Sequence, residues 1–419
     1  WTVSDDGLTY TFKLQTGVKF HDGSDFNADD VIFSFERAMA ENSTNPTKKL
    51  FKPIKSVTAP DAETIVFQLS KPTPFFLFNM ARGDTSIVAK ETADTNKTSP
   101  VGTGPYKMSK WVRGNSITLV KNPDHRDAAK VSIDKATFRF VADAAAATSA
   151  LLAGEIDAYP GFPAPESVDQ FKADPRYNVT VGSTEGEVIL ALNNSRPPFN
   201  NLNVRRAVSH ALNRQEIIDG AMFGFGSPIG SFFPPHHKAY VDLTGRYPHD
   251  IGKAKAELAT GGYKDKGPEV TLSLPHFPYA RRSGEIIQQQ LGKAGINVKI
   301  KNVEWGYWIG EVYKKQNYDM TIIAHVEPND IGNFTRGPKY YYGYQSDAFD
   351  ALYKKLANET DPAKLADLQK QAQRMITEDA VHGFLFQLPR IGVYKKEVSG
   401  YWKSASVQFN PLIGWKVAK

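Results

Sequence analysis

The alternation of apolar and polar positions is most regular between residues 268 and 326. There "EVTLSLP" reads as a strand, "ARRSGEIIQQQLGKAG" as a helix closed by Gly295, "INVKIKNV" as a strand, "EWGYWIGEVYKKQ" as a helix and "YDMTIIAHV" as a third strand. Short connections in this order imply parallel strands joined by right-handed crossovers. Upstream, "GEVILALNN" is apolar without a break, as expected of a strand covered on both faces, and it passes through Pro197-Pro198 into helices. "KATFRFVADAAAATSALLAGEIDAYPG" predicts a strand, a helix stopped at Gly154 and a short strand near 156–159. "VGTGPYKMSKWVRGNSITLVKNP" predicts two strands about the loop Arg113-Gly114-Asn115. The chain opens inside a hairpin, with Tyr10, Phe12 and Leu14 alternating after the turn Asp6-Gly7, and Asn27 caps a helix with Asp30 three residues on. The last segment holds one apolar strand, "HGFLFQLPRIGVYKK", and then an aromatic tail without helical period.

Composition narrows the classes. A chain of 419 residues exceeds one ordinary core, so two or three domains are expected. Its 51 basic and 45 acidic residues are interspersed, with no arginine-rich run or zinc-ligand spacing, which argues against a nucleic-acid partner. Zero Cys excludes thiol catalysis, Cys-ligated zinc and disulfides. No apolar run approaches the roughly 20 residues that cross a bilayer. Neither an initiator Met nor a signal peptide precedes Trp1, and the mid-hairpin start leads us to expect that an amino-terminal segment is missing.

The candidate chemistry is that of binding. "VEPNDIGNF", Val326 to Phe334, sets Glu327 and Asp330 in a turn beyond the third parallel strand. Solvated punctuation would explain such a turn, but ligands of open α/β sheets bind beyond the carboxyl ends of strands, which favours a site. His236-His237 in "SFFPPHHKAY" suggests a metal, yet adjacent side chains on an extended chain diverge and no His-x-x-x-His partner stands nearby. A loop pair reaching a ligand is the better reading. Trp305, Tyr307 and Trp308 line a pocket or fill the core. "GTGPY" lacks the Lys-Ser/Thr of a phosphate loop, and neither a Gly-x-Ser-x-Gly elbow nor His-Glu-x-x-His occurs, so no enzyme chemistry and no cofactor are expected.

Several segments together resemble the large solute-binding proteins of ABC importers, the peptide, opine and nickel class. "SDDGLTYTFKLQTGVKFHDGSDFNADDVIFSFERA", "VGTGPYKMSKWVRGNSITLVKNPDH" and "LNNSRPPFNNLNVRRAVSHALNRQEII" carry the likeness, with "GSPIGSFFPP" and the β-α-β stretch in the same order. The resemblance implies an α/β, periplasmic-binding-protein-like, two-lobed clamshell with an extra inserted domain. Residues 1–105 would form that domain, 106–194 with 388–419 the first lobe, and 195–387 the second, with crossing strands near Leu192–Ser195 and Gln387–Arg390. It further implies a periplasmic or extracytoplasmic monomer that closes on a small-molecule or short-peptide solute and delivers it to a membrane permease. The expected ligand contacts are Glu327, Asp330, His325, Phe233, His236 and Trp305, with Glu327 where dipeptide-binding relatives carry an Asp for the ligand amine. Leu274 stands where they place an Arg for the peptide carboxylate, while Arg281 and Arg282 match helix positions without that role. A nickel-type chelate binder using His236, His237 or His325, and a hydrolase using Glu327 and Asp330, are the alternatives.

Overall fold

The computed structural model describes residues 1–141, 143–405 and 411–418. Its centre is a seven-stranded sheet. Glu269–Leu274 lies parallel to both Asn297–Asn302 and Met320–His325, as the β-α-β-α-β pattern predicts. Met320–His325 then pairs antiparallel with Tyr177–Leu192, which pairs antiparallel with His382–Lys395.

The apolar run explains why this sheet is covered twice. Val188, Leu190 and Leu192 enter one core with the helices Leu202–Ala211, Arg214–Met222 and Pro278–Ala294. Ile189 and Ala191 point the other way, into a core filled by Phe232, Phe334, Tyr341, Tyr342 and the helices Asp347–Leu356 and Pro362–Glu378. Period-two alternation thus serves two layers at once. The helix Pro278–Ala294 begins with Pro at its first position and ends at Gly295, whose φ of 100° is left-handed. The expected helix after Glu304 is instead one turn, Trp305–Tyr307, running into a π-helix, Trp308–Lys314.

The two long antiparallel strands pass from this body into a second. Tyr177, Ile391 and Val393 belong to a separate core with Leu151, Phe162, Val168 and Phe171. The pairing is irregular between Gln387 and Pro389, opposite 184–186, and Thr184 Oγ1 donates to Leu388 O there at 2.6 Å. The cores therefore exchange at 184–187, not at Leu192–Ser195, because Val188–Leu192 are already buried in the layers just described. The tail returns to the second body, where Tyr394 stacks on Tyr401 at 3.5 Å and meets Trp415; residues 406–410 of the expected first lobe lie outside the described residues.

A third body holds the antiparallel sheet of Thr2–Val3, Thr9–Lys13, Thr64–Leu69 and Ile54–Asp61, packed on the helix Ala28–Met39. Asn27 and Asp30 form the predicted capping box. This body joins the second through Gly102–Pro105: His21 N donates to Gly102 O at 2.9 Å and Asn122 Nδ2 to Gly104 O at 3.2 Å. Beyond that junction lies the predicted hairpin of Tyr106–Val112 and Ser116–Lys121.

Candidate functional site

A cavity of ≈450 Å³ opens where the long strands cross between bodies. Its floor is Thr184, Glu185 and Leu388–Ile391. One wall is Phe162 and the prolines around it, from the body of residues 144–177; the other is Met222, Pro278, Tyr279, Arg282 and Val326. Tyr279 and Arg282 are one turn apart at the start of the helix that follows Glu269–Leu274, so the carboxyl-end rule applies to this strand as well as to the third. The Tyr279 hydroxyl accepts from Ala324 N at 3.0 Å, which fixes the ring against the strand Met320–His325.

The few polar groups at the cavity are engaged with one another. Arg282 donates through Nη1 and Nη2 to the two carboxylate oxygens of Glu166, at 3.0 and 2.9 Å, across the opening. Burial raises the Glu166 carboxyl, but the Arg282 hydrogen bonds outweigh it and hold the group below its ordinary range. Arg390 Nε donates to Pro160 O at 3.2 Å. Glu185 Oε1 lies 2.7 Å from His236 Nε2, and Gln387 Nε2 lies 2.9 Å from His236 Nδ1, so the ring is held from both sides.

Beside that chain lies a second network. His325 Nδ1 is 3.2 Å from Asp330 Oδ2, its Nε2 is 2.8 Å from the hydroxyls of Tyr341 and Tyr342, and Asn333 Nδ2 donates to Asp330 at 2.9 Å. Between the two networks sits Glu187, the cross-strand partner of both Gln387 and His325. It is 4% exposed, and its Oε2 has no hydrogen-bond partner among the described residues. Burial pushes its carboxyl well up, and the neighbouring charges of Asp330 and Glu185 push the same way.

The structure thus brings His325 and Asp330 together and seats His236 on a carboxylate at the cavity. Phe233 is 2% exposed, inside the core against His237. Trp305 is 39% exposed, stacked on Trp308 and edge-on to Phe277, which stacks on Tyr279. The Glu327 side chain, 55% exposed, is bound by Arg82 Nη2 of the third body and does not line the cavity. Arg82 also bonds Asp84 at 3.2 Å. Sequence reasoning missed Glu185, Glu187, Tyr279 and the cavity-lining position of Arg282. The two acids flanking Gly186 at the head of an apolar run were the available signal, since charges entering a doubly covered strand require a reason.

Two bodies crossed by two strands, with a cavity between them, define a two-lobed solute binder of the periplasmic-binding-protein kind. Residues 1–350 match the family model "Bacterial extracellular solute-binding proteins, family 5 Middle", and the chain belongs to that family. It is 30% identical to the Di/tripeptide-binding protein 1 of Pseudomonas aeruginosa, over 96% of this chain and 82% of that one. The Dipeptide-binding protein of Escherichia coli is likewise 30% identical with the same coverage. Among solved structures, the periplasmic binding protein DppA of Helicobacter pylori in complex with the peptide STSA superposes with a TM-score of 0.87 at 29% identity, covering 100% of this chain and 88% of that chain. AgaA of A. tumefacien R10, in complex with agropinic acid, gives 0.86 at 25% identity, with 100% and 88% covered. Members of the family are extracytoplasmic solute-binding proteins of transport systems, not enzymes. Among the described residues no helix is long and apolar enough to cross a membrane.

Proposed function

We propose that this chain captures a peptide-like or opine-like organic solute by closing its lobes and delivers it to an ABC permease. The observation that carries this reading is the cavity at the crossing strands, walled from both sides and apolar apart from Glu185, Arg282, Arg390 and a few smaller polar groups. Such a lining suits a solute with an apolar body and few polar ends. Contacts made to both walls favour the closed state, because a ligand shifts the hinge only by its differential affinity. The lobes exchange at 184–187 and 387–389, and residues 1–105 travel with the first lobe through the Gly102–Pro105 junction.

For a solute amine we propose Glu185 as the receiving carboxylate in place of Glu327, since Glu185 lines the cavity and Glu327 is held by Arg82. His325 and Asp330 stiffen the wall behind it, His236 orients Glu185, Phe233 supports the loop that carries His236, and Trp305 extends the aromatic rim. A chelate-binding role is less favoured because His236 and His325 are each committed to a carboxylate.

Isothermal titration of protein stripped of solute by unfolding and refolding, against di- and tripeptides and agropinic acid, tests the reading. One-to-one binding of at least one class without turnover is expected. Hydrolysis of any of them that Glu327→Gln abolishes would sink it.

A further inference from the structure

The third body holds a cavity of its own, of ≈580 Å³, which shares no lining residue with the cavity at the crossing strands. It lies between the end of the helix Ala28–Met39, the loop 40–46 and the segment 83–88. Its apolar part is Phe35 and Phe51, 5% and 1% exposed, whose rings meet edge to face at 5.8 Å. Hydrogen bonds tie its walls together: Asn45 Nδ2 donates to Asp84 O at 2.9 Å, and Ser34 Oγ accepts from Val88 N at 3.0 Å. Lys48 Nζ donates to Ala40 O at 2.5 Å and to Glu41 O at 2.9 Å, so carbonyls at the helix end are already engaged. Other polar groups of the lining are not engaged. Among the described residues the side chains of Arg37, Asn42 and Thr44 have no hydrogen-bond or ion-pair partner, and Asp84 uses only Oδ2, toward Arg82.

We infer that this cavity is a second binding site, for a small neutral polyol of the ring-sugar class. The inference is independent of which solute the lobes capture. The charged groups of the lining are one cation, Arg37, and one carboxylate, Asp84. An anion would suit Arg37 but would face Asp84 and the negative end of the helix, and a cation would suit those but face Arg37. A hydroxyl both donates and accepts, so it bonds to either. Asn42, Thr44 and the hydroxyls of Ser43 and Ser86 are neutral and outnumber the charge pair, which favours a ligand with many hydroxyls over a zwitterion with one ammonium and one carboxylate. Polar groups that lose water on binding must be matched one by one, and a polyol carries a hydroxyl on nearly every carbon. The C–H face of a sugar ring is apolar and fits the Phe35–Phe51 surface. The cavity at the crossing strands has the reverse character, apolar with few polar groups, so the two sites select different chemistry.

Saturation-transfer difference NMR on the full chain tests the site, with D-glucose, D-mannose and myo-inositol as polyols and L-serine as the zwitterion. Transfer from the wild type to at least one polyol is expected, with an affinity in about the millimolar range usual for so small and polar a ligand. Arg37→Leu removes a charged donor and should weaken that binding by roughly tenfold. Asn42→Trp sets an indole in the cavity and should abolish it. Both residues are exposed, so the variants should fold, which circular dichroism checks. Neither residue lines the cavity at the crossing strands, so peptide titration should give the same result in both variants as in the wild type. The two readings therefore fail separately. No transfer to any polyol, transfer to serine alone, or polyol transfer unchanged in both variants would overturn the site.

Discussion

Arg82 holds Glu327 across two bodies of the molecule, although 245 residues separate them in the chain. The acidic turn after the third parallel strand therefore receives a cation, and that cation is the protein's own. Asp84 accepts from Nε and Nη2 of the same guanidinium, at 3.3 and 3.2 Å, so a neighbour within the third body helps to hold the group that meets Glu327. A double-mutant cycle on Arg82→Gln and Glu327→Gln should give a coupling of about 0.5–1 kcal/mol in unfolding free energy, discounted for the exposure of Glu327. Zero coupling in chemical denaturation would return the turn to solvent or to a solute.

Glu185 lines the cavity and is our proposed receiver for a solute amine. Removing a charge partner from a desolvated, charge-assisted pair costs on the order of 2–5 kcal/mol, and about 1.4 kcal/mol is tenfold. Glu185→Gln should therefore weaken an amine-bearing solute by roughly tenfold or more. Glu327→Gln should weaken it less than about threefold, since Glu327 does not line the cavity and its side chain pairs with Arg82. Titration of both variants with one peptide decides the matter; the reverse ranking would restore Glu327 as the ligand carboxylate.

Glu187 makes a prediction with pH. Its folded-state carboxyl is raised by burial, so the folded protein keeps a proton that the unfolded chain has released. Stability linked to that proton is complete below the unfolded carboxylate value near 4.5 and is lost as pH rises through the folded value. Glu187→Gln removes the dependence. Its Tm should match the wild type near pH 4 and exceed it by about 2 °C or more at pH 8, given the usual few degrees per kcal/mol. Thermal melts at both pH values check this, and parallel curves would mean that Glu187 is charged and compensated.

Gly182 reports the return of the tail. A Cβ there would stand 1.9 Å from Lys403 O and 2.9 Å from Ser404 Oγ. The same stretch is tied by Ser183 N donating to Ser404 Oγ at 3.0 Å and by the parallel bridge between Thr184 and Ala405. Gly182→Ala must push the tail off the crossing strand, at a cost of roughly 2 kcal/mol or more. Because Ala405 lines the cavity, solute affinity should fall with stability. A denaturation midpoint within error of the wild type would show that the tail is not held there.

Periodicity carried much of this fold. The three parallel strands, the capping box at Asn27 and the hairpin around Gly114 were legible because local pattern and turn chemistry agree at those places. The exchange point at 184–187 was not, since the apolar run looks alike whether it crosses between lobes or fills one of them. The candidate site was half legible. Position beyond a strand end directed attention to 326–334, but which acid faces the cavity depends on where Arg82 comes from, and a contact spanning 245 residues leaves no local trace. Phe233 followed the opposite course, because a Phe-Phe-Pro-Pro loop reads the same whether its ring meets a solute or, as here, the core.

The central claim is that one organic molecule sits between the lobes. Native mass spectrometry of the protein, first as purified and then stripped and mixed with peptide and opine libraries, addresses it directly. The expected result is a single adduct per chain, of the small size that a cavity of ≈450 Å³ admits, released on denaturation and restored when the stripped protein is mixed with the solute. An unchanged apoprotein mass under all of these conditions would contradict the account.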